Sequence, residues 1–188
     1  MFEIVFYGRG GQGVVTAAQI LAQAAFLEGC HVQAFPKFGI ERRGAPVSAF
    51  CRISEGPIEY RGSIKSADFA IVTDIMSVTP EALFAGLKPS GMAVLNSPLE
   101  ASQLGRYKER VDRGDVRIFS VDATEISAAI FGETSIPITS VAMLGAFAAA
   151  SGLVSLEGIN KALDQFFQPL VARKNFEAAS IACQSVTR

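Results

Sequence analysis

The stretch Tyr7-Gly8-Arg9-Gly10-Gly11-Gln12-Gly13-Val14 is the part of the chain best suited to chemistry. Glycines here can take positive φ and let a ligand or another backbone come very close. The stretch follows an apolar run, Ile4-Val5-Phe6-Tyr7, and precedes a helical pattern that starts at Val14. A strand, a tight turn and a helix in that order aim the free N–H groups of a helix N-terminus into the opening, where an anion is favoured. Gly8, Gly10 and Gly13 match the G-x-G-x-x-G pattern of dinucleotide-binding turns, and Gln12 adds the one side-chain amide of the loop. The full fingerprint also wants an acidic residue about 20 positions on, at the end of the second strand. That strand ends Ala34-Phe35-Pro36-Lys37, and Glu41 lies further along, which counts against NAD. It is not a Walker loop, because Val14 and not lysine follows Gly13. Three readings of the turn stay open: an anion site, a docking turn for another protein, and a turn that only packs a helix on a sheet.

A second group is basic. Lys37, Arg42 and Arg43 form the densest positive cluster, in a loop with Gly39, Gly44 and Pro46. Following the second strand, it falls at the carboxyl edge beside the glycine loop. The planar fork of arginine suits phosphate or carboxylate. A plain solvated loop is the alternative. No catalytic set is present: His31 stands alone at a strand start, and Asp74 follows a buried strand as a cap or loop residue. No metal-ligand spacing occurs, and the thiamine diphosphate signature is missing, since Gly114-Asp115 is followed by Val116.

The elements that must position these groups come from periodicity. Glu3–Tyr7 reads as a strand, Val14–Glu28 as a helix closed by Gly29, and His31–Pro36 as a second strand, which together imply a parallel pair. Val47–Ile53 alternates into a strand, Glu55-Gly56-Pro57 turns, and Ile58–Tyr60 reads as a short return strand. Further strands are expected at Phe69–Thr73, Met92–Leu95 and Val116–Val121. Helices are expected at Pro80–Leu87 with Thr79 as N-cap, at Leu99–Asp112 and at Ala123–Phe131. From Thr139 the pattern is helical only: Thr139–Ala150, Ser155–Phe166 and Val171 to about Val186. The expected fold is α/β, a doubly wound and mostly parallel Rossmann-like sheet with an all-helical C-terminal part, as one domain over residues 1–188.

Composition limits the function classes. Of 188 residues 49% are hydrophobic, enough for a substantial core, and the net charge of −1 disfavours a phosphate-neutralising nucleic-acid binder. The start, Met1-Phe2-Glu3, does not read as a signal peptide. The most apolar stretch, Val141–Val154, is shorter than the roughly 20 residues of a membrane span, so no membrane role is expected. Cys30, Cys51 and Cys183 are far apart and form no CxxC, which fits a reducing, cytoplasmic setting and excludes a four-cysteine cluster held by this chain alone.

Taken together, Gly8-Arg9-Gly10-Gly11-Gln12-Gly13-Val14, then Phe38-Gly39-Ile40-Glu41-Arg42-Arg43-Gly44-Ala45-Pro46-Val47, then Ala142-Met143-Leu144-Gly145-Ala146 and Gly152-Leu153-Val154-Ser155-Leu156 resemble the gamma subunit of 2-oxoacid:ferredoxin oxidoreductases, closest to the pyruvate or 2-ketoisovalerate type. The similarity runs over nearly the whole chain. It implies an enzyme that decarboxylates a 2-oxoacid on thiamine diphosphate, reduces ferredoxin through iron–sulfur clusters and transfers the acyl group to coenzyme A. It further implies that thiamine diphosphate and the clusters belong to alpha, beta and delta partner subunits. This chain would bind no cofactor alone and contribute coenzyme A binding, subunit assembly or both. Gly8, Gly10, Gly11, Gln12, Gly13, Arg42 and Arg43 are the residues expected to meet coenzyme A phosphates, with no catalytic or metal-binding residue. Where relatives carry Asn-Thr before the Ala-Met-Leu-Gly-like stretch, this chain has Ser140-Val141. The alternatives are a stand-alone Rossmann-like nucleotide-binding protein and a purely structural assembly subunit.

Overall fold

The computed structural model describes residues 1–37, 44–100, 103–105, 107, 116–135 and 138–187. In chain order these form β1 (Phe2–Arg9), α1 (Val14–Leu27), β2 (His31–Pro36), β3 (Pro46–Ser54), β4 (Ala67–Val72), α2 (Pro80–Ala85), β5 (Leu87–Asn96), β6 (Arg117–Val121), α3 (Ala123–Phe131), α4 (Ser140–Ser151), α5 (Leu156–Phe166) and α6 (Pro169–Ser185). The helix ends obey local chemistry. Gly29, at φ 91°, closes α1 in the left-handed region, and its N–H donates to the Phe26 carbonyl at 2.9 Å. Thr79 caps α2 by accepting from the Ala82 N–H, and Ser155 caps α5 by accepting from the Gly158 N–H.

The six strands lie in the order β2-β3-β1-β4-β5-β6. β1 pairs in parallel with β4, β4 with β5 and β5 with β6, so the sheet is mostly parallel as the alternation implied. The expected β1–β2 pair is corrected: β3 inserts between them, antiparallel to both. The physical reason is that β3 doubles back from β2 as a hairpin and offers one ladder to each neighbour, with Arg9 opposite Pro46 and Pro36 opposite Ala49. A second correction concerns Ile58–Tyr60, which forms no strand. Its carbonyls accept from side chains instead, Ile58 from Gln33 Nε2 and Tyr60 from Arg52. The proposed helix at Leu99–Asp112 lies mostly outside the described residues.

Alternation on β3 sorts its residues between the two faces. Ala49, Cys51 and Ile53 join the larger core with α1, α4, α5 and α6. Phe50 joins the smaller core, which α2 and the segment around Leu104 and Tyr107 cover. Helix α4 is buried from Ser140 to Ala148 between the sheet and α6. Gly145 makes this possible: a Cβ there would overlap the Ala179 backbone of α6. Phe147 of the same helix meets Phe69 of β4 edge-on at 5.5 Å between ring centroids. The Ala-rich stretch is therefore an internal layer, covered by its own chain.

The face opposite α1 holds a fully buried cation, Arg52. Its Nε bonds Glu3 at 3.0 Å, and its terminal nitrogens donate to Gln33 Oε1 and to the Tyr60 and Gly62 carbonyls. The guanidinium also stacks over the Phe35 and Tyr60 rings at 5.3 and 5.0 Å. Arg52 thus ties the 58–62 segment over β2 and β3, where an ordinary α/β fold would place a crossover helix. This network lies at the amino end of β1, away from the glycine loop.

Candidate functional site at the carboxyl edge of the sheet

The parallel strands end on the edge where the glycine loop leaves β1. Gly11 has φ 100° and Gly13 φ 79°, so both positions need glycine. Gly13 is the N-cap of α1 and brings no side-chain cap, which leaves the first amides of the helix open to an external acceptor. Gly8 is glycine for a different reason. A Cβ there would overlap Thr73 Oγ1 and would lie 2.6 Å from a Val14 methyl, so the turn folds tightly onto β4 and α1.

Gln12 holds the loop together. Its Oε1 accepts from the Arg9 N–H at 2.8 Å and contacts Thr73 Oγ1 at 3.0 Å. The residue is 94% buried, being only 6% exposed. Because the backbone N–H of Arg9 requires an acceptor, the amide orientation is decided and Nε2 points away from the bridge. Among the described residues Nε2 has no hydrogen-bond partner. Gln12 is thus a donor set in place at the start of α1.

Backbone bonds narrow the loop's donors. The Gly10 N–H donates to the Ala45 carbonyl at 2.9 Å and the Gln12 N–H to the Arg9 carbonyl at 3.1 Å. Those two amides are spent inside the chain. The N–H groups of Gly11, Gly13, Val14, Val15 and Thr16 have no acceptor among the described residues, and the Ala17 N–H makes the first bond of α1, to the Gly13 carbonyl at 2.8 Å. In return Gly44 donates to the Gly10 carbonyl at 3.0 Å, so the segment that follows Arg43 lies against the glycine loop. Arg42 and Arg43 themselves lie outside the described residues. Lys37 is exposed at the end of β2 and its N–H closes the hairpin on Ser48.

Arg9 points its Nε at Asp74 Oδ2, 2.7 Å away, and Asp74 Oδ1 accepts from the Met76 N–H at 2.7 Å. Both partners are partly exposed, so the pair orders the loop more than it stabilises the fold. Asn96 at the end of β5 continues the edge, donating to the Thr73 carbonyl and to Thr124 Oγ1 at 2.9 Å each. Beyond Asp74 an open cavity of about 330 Å³ is lined mainly by Ile75, Met76, Val78, Leu99, Leu104 and Tyr107. No group of three or more candidate metal ligands occurs among the described residues. The edge can therefore hold an anion against backbone amides and one fixed carboxamide, with apolar space beside it.

A family model described as pyruvate ferredoxin/flavodoxin oxidoreductase matches residues 3–185. The chain belongs to this family. It is 43% identical over 188 residues to a pyruvate synthase subunit PorC of Methanothermobacter thermautotrophicus, covering 100% of this chain and 97% of that one. It is 45% identical over 179 residues to the common gamma subunit of pyruvate/ketoisovalerate oxidoreductases of Pyrococcus furiosus, covering 95% of this chain and 94% of that one. The crystal structure of the pyruvate oxidoreductase subunit PORC of Thermotoga maritima superposes with a TM-score of 0.80 at 33% identity, over 99% of this chain and 97% of the other. Family membership and the mostly parallel sheet with C-terminal helices bear out the sequence reading.

Within this family framework the structure adds Thr73, which the sequence did not single out, and gives Asp74 and Ser140 neighbours that the sequence did not indicate. Thr73 and Asp74 lock Gln12 and Arg9 from the neighbouring strand. Ser140 places its Oγ 2.7 Å from where a Gly13 Cβ would stand. The signal for Ser140 was its place at the start of a motif, without any indication that it meets the glycine turn. Among the described residues no helix is long and apolar enough to cross a membrane.

Proposed function

We propose that this chain is the gamma-type subunit of a multi-subunit 2-oxoacid:ferredoxin oxidoreductase that converts pyruvate, or a branched relative such as 2-ketoisovalerate, to its acyl-coenzyme A. Its part is to hold the phosphates of coenzyme A at the glycine loop. The observation that carries this reading is the locked turn: Gln12 Oε1 fixes it to Arg9 and Thr73, Gly11 and Gly13 take positive φ, and α1 starts at Gly13 with no side-chain cap. Coenzyme A brings a pyrophosphate and a ribose 3′-phosphate, both suited to such donors. Arg42 and Arg43 are proposed to complete the site. Gly44 and Ala45, which follow them in the sequence, pair with Gly10. Thiamine diphosphate and iron–sulfur clusters are assigned to alpha, beta and delta partners in the cytoplasm, and ferredoxin to the assembled enzyme. This chain supplies binding and orientation, and no reacting group.

Titration of the assembled enzyme with coenzyme A tests this. Arg42→Ala/Arg43→Ala and Gly11→Val are each expected to weaken binding at least tenfold, the second because a branched residue is strained at φ 100°. Full affinity in both variants removes the loop from the coenzyme A site. A second reading makes the loop a docking turn for a partner subunit. It is favoured by Ile138, 56% exposed, whose Cγ2 stands 3.9 Å from the Gly13 Cβ position. Native mass spectrometry of the Gly11→Val complex separates the two: loss of a subunit supports docking.

A further inference from the structure

We propose that the carboxyl edge beyond the glycine loop takes the 3′-phosphoadenosine end of coenzyme A, with Arg9 on the ribose phosphate and the cavity past Asp74 on the adenine ring. The inference rests on the proposed function for the identity of the ligand. It goes beyond that reading in giving roles to Arg9, Met76 and the cavity.

Three features follow one another along this edge and are tied by hydrogen bonds. Within the glycine loop the Arg9 N–H donates to Gln12 Oε1 at 2.8 Å. The Arg9 Nε donates to Asp74 Oδ2 at 2.7 Å. Asp74 Oδ1 accepts from the Met76 N–H at 2.7 Å, and Met76 stands in the cavity wall. The order is therefore loop, guanidinium, cavity. In coenzyme A the order is pyrophosphate, ribose 3′-phosphate, adenine.

Arg9 is a cation held in a fixed pose at the surface. Its side chain is 40% exposed, and beside the bond to Asp74 its Nη1 reaches the Gly44 carbonyl at 3.4 Å. Nη2 has no hydrogen-bond partner among the described residues. Asp74 divides its two oxygens between Arg9 and the Met76 amide, so it orients the fork as a positioning residue. Tying β1 to β4 uses Nε alone. A planar guanidinium with its outer nitrogen open suits a phosphate monoester, which two parallel N–H groups can grip.

The cavity fits the ring. Its volume of about 330 Å³ is at the low end of the roughly 300–1,000 Å³ typical of small-molecule sites, which gives room for one ring system and not for the whole molecule. Leu104 and Tyr107 form buried parts of its wall, and Gln103 brings a carboxamide. The Tyr107 ring is pinned edge-on against Phe84, 5.9 Å between centroids. Met76 is 70% and Leu99 48% exposed, so the wall also presents open apolar surface, and a thioether packs well against an aromatic ring. The pantetheine arm is the poorer occupant. This chain contributes no reacting group, so the thiol must leave it to reach a partner subunit, and the adenosine end is the one that can stay.

The test uses the assembled enzyme, titrated calorimetrically with coenzyme A, with dephospho-coenzyme A, which lacks the ribose phosphate, and with phosphopantetheine. Arg9→Gln is expected to weaken coenzyme A about tenfold or more, the size of hydrogen bonds to a charged acceptor, and dephospho-coenzyme A by less than about threefold. Arg9→Lys keeps the charge without the fork and is expected to fall between the two. Met76→Ala is expected to weaken coenzyme A and dephospho-coenzyme A alike, by about threefold or more, and to leave phosphopantetheine unchanged. A purely structural Arg9 would lower the melting temperature of Arg9→Gln while the ratio of the two affinities stayed that of the parent; that result overturns its role. Full affinity in Met76→Ala overturns the role of the cavity. If Gly11→Val still weakens coenzyme A in those cases, the glycine-loop reading stands and only the present inference fails; full affinity in Gly11→Val as well removes both.

Discussion

Replacing Gln12 in two ways separates the packing of the glycine turn from its charge. Gln12→Ala removes the Oε1 that joins the Arg9 N–H at 2.8 Å to Thr73 Oγ1 at 3.0 Å. Thr73 retains an acceptor, because the Tyr7 carbonyl lies 3.2 Å from its hydroxyl. The Arg9 amide has no such substitute in the turn. The loss is therefore about one unsatisfied part-buried donor, roughly 1–3 kcal/mol of stability. Gln12→Glu keeps an acceptor for both donors and strengthens it by charge. The carboxylate also sits at the start of α1, where the helix dipole favours it by about 0.3–1 kcal/mol. Its folding stability is expected to equal or exceed that of the parent. Its effect on a bound phosphate is the opposite. At about 4 Å two unit charges interact by roughly 4 kcal/mol at an effective dielectric of ~20, so coenzyme A affinity is expected to fall at least ~100-fold. The assay pairs thermal unfolding with calorimetric titration of the assembled enzyme. A Gln12→Glu enzyme that binds coenzyme A within threefold of the parent would refute an anion at this turn. A Gln12→Ala protein that melts with the parent would show that the Oε1 bridge does not hold the loop.

Two further outcomes follow from buried groups on the sheet. Arg52→Met leaves Glu3 and the Tyr60 and Gly62 carbonyls without their donor; a loss of about 3–5 kcal/mol is expected, read from the denaturant midpoint, with earlier protease cleavage between residues 55 and 66 as the second readout. Arg52→Lys is expected to rescue little, since one ammonium cannot reproduce the fork. Burial pushes the Cys51 thiol well above the ordinary value of 9.0. The folded state then keeps a proton that the unfolded chain releases, so this contribution is complete below pH 9 and declines above it by about 1.4 kcal/mol per pH unit. Cys51→Ala is expected to flatten the stability profile between pH 9 and 10. Native protein at pH 8 should show Cys51 protected from iodoacetamide, and labelling of Cys51 without unfolding would contradict its burial.

The sequence by itself determined what depends on near neighbours. The apolar runs at Phe69–Val72 and Met92–Leu95 became strands because both faces of a central parallel strand are buried. Thr79, Pro80 and Ser155 started their helices and Gly29 closed α1, as their side chains or lack of one require. Strand, glycine turn and helix came in order for the same reason, and the ordered motifs were enough to indicate the family. Strand order was decided only in three dimensions. A strand–helix–strand pattern is equally compatible with adjacent strands and with a third strand inserted between them, and β3 took that place by pairing on both sides. The partners of the turn follow from that order: Gln12 meets Thr73 at a separation of 61 residues and Arg9 meets Asp74 at 65. Ser140 reaches Gly13 because α4 is threaded between the sheet and α6, which the Gly145–Ala179 approach permits. Arg52 was legible as a residue facing away from Cys51, since alternation gives that much. What covers it depends on where residues 58–62 fall, and a charged side chain in a strand carries no local signal that distinguishes water from a buried fork of carbonyls and a carboxylate.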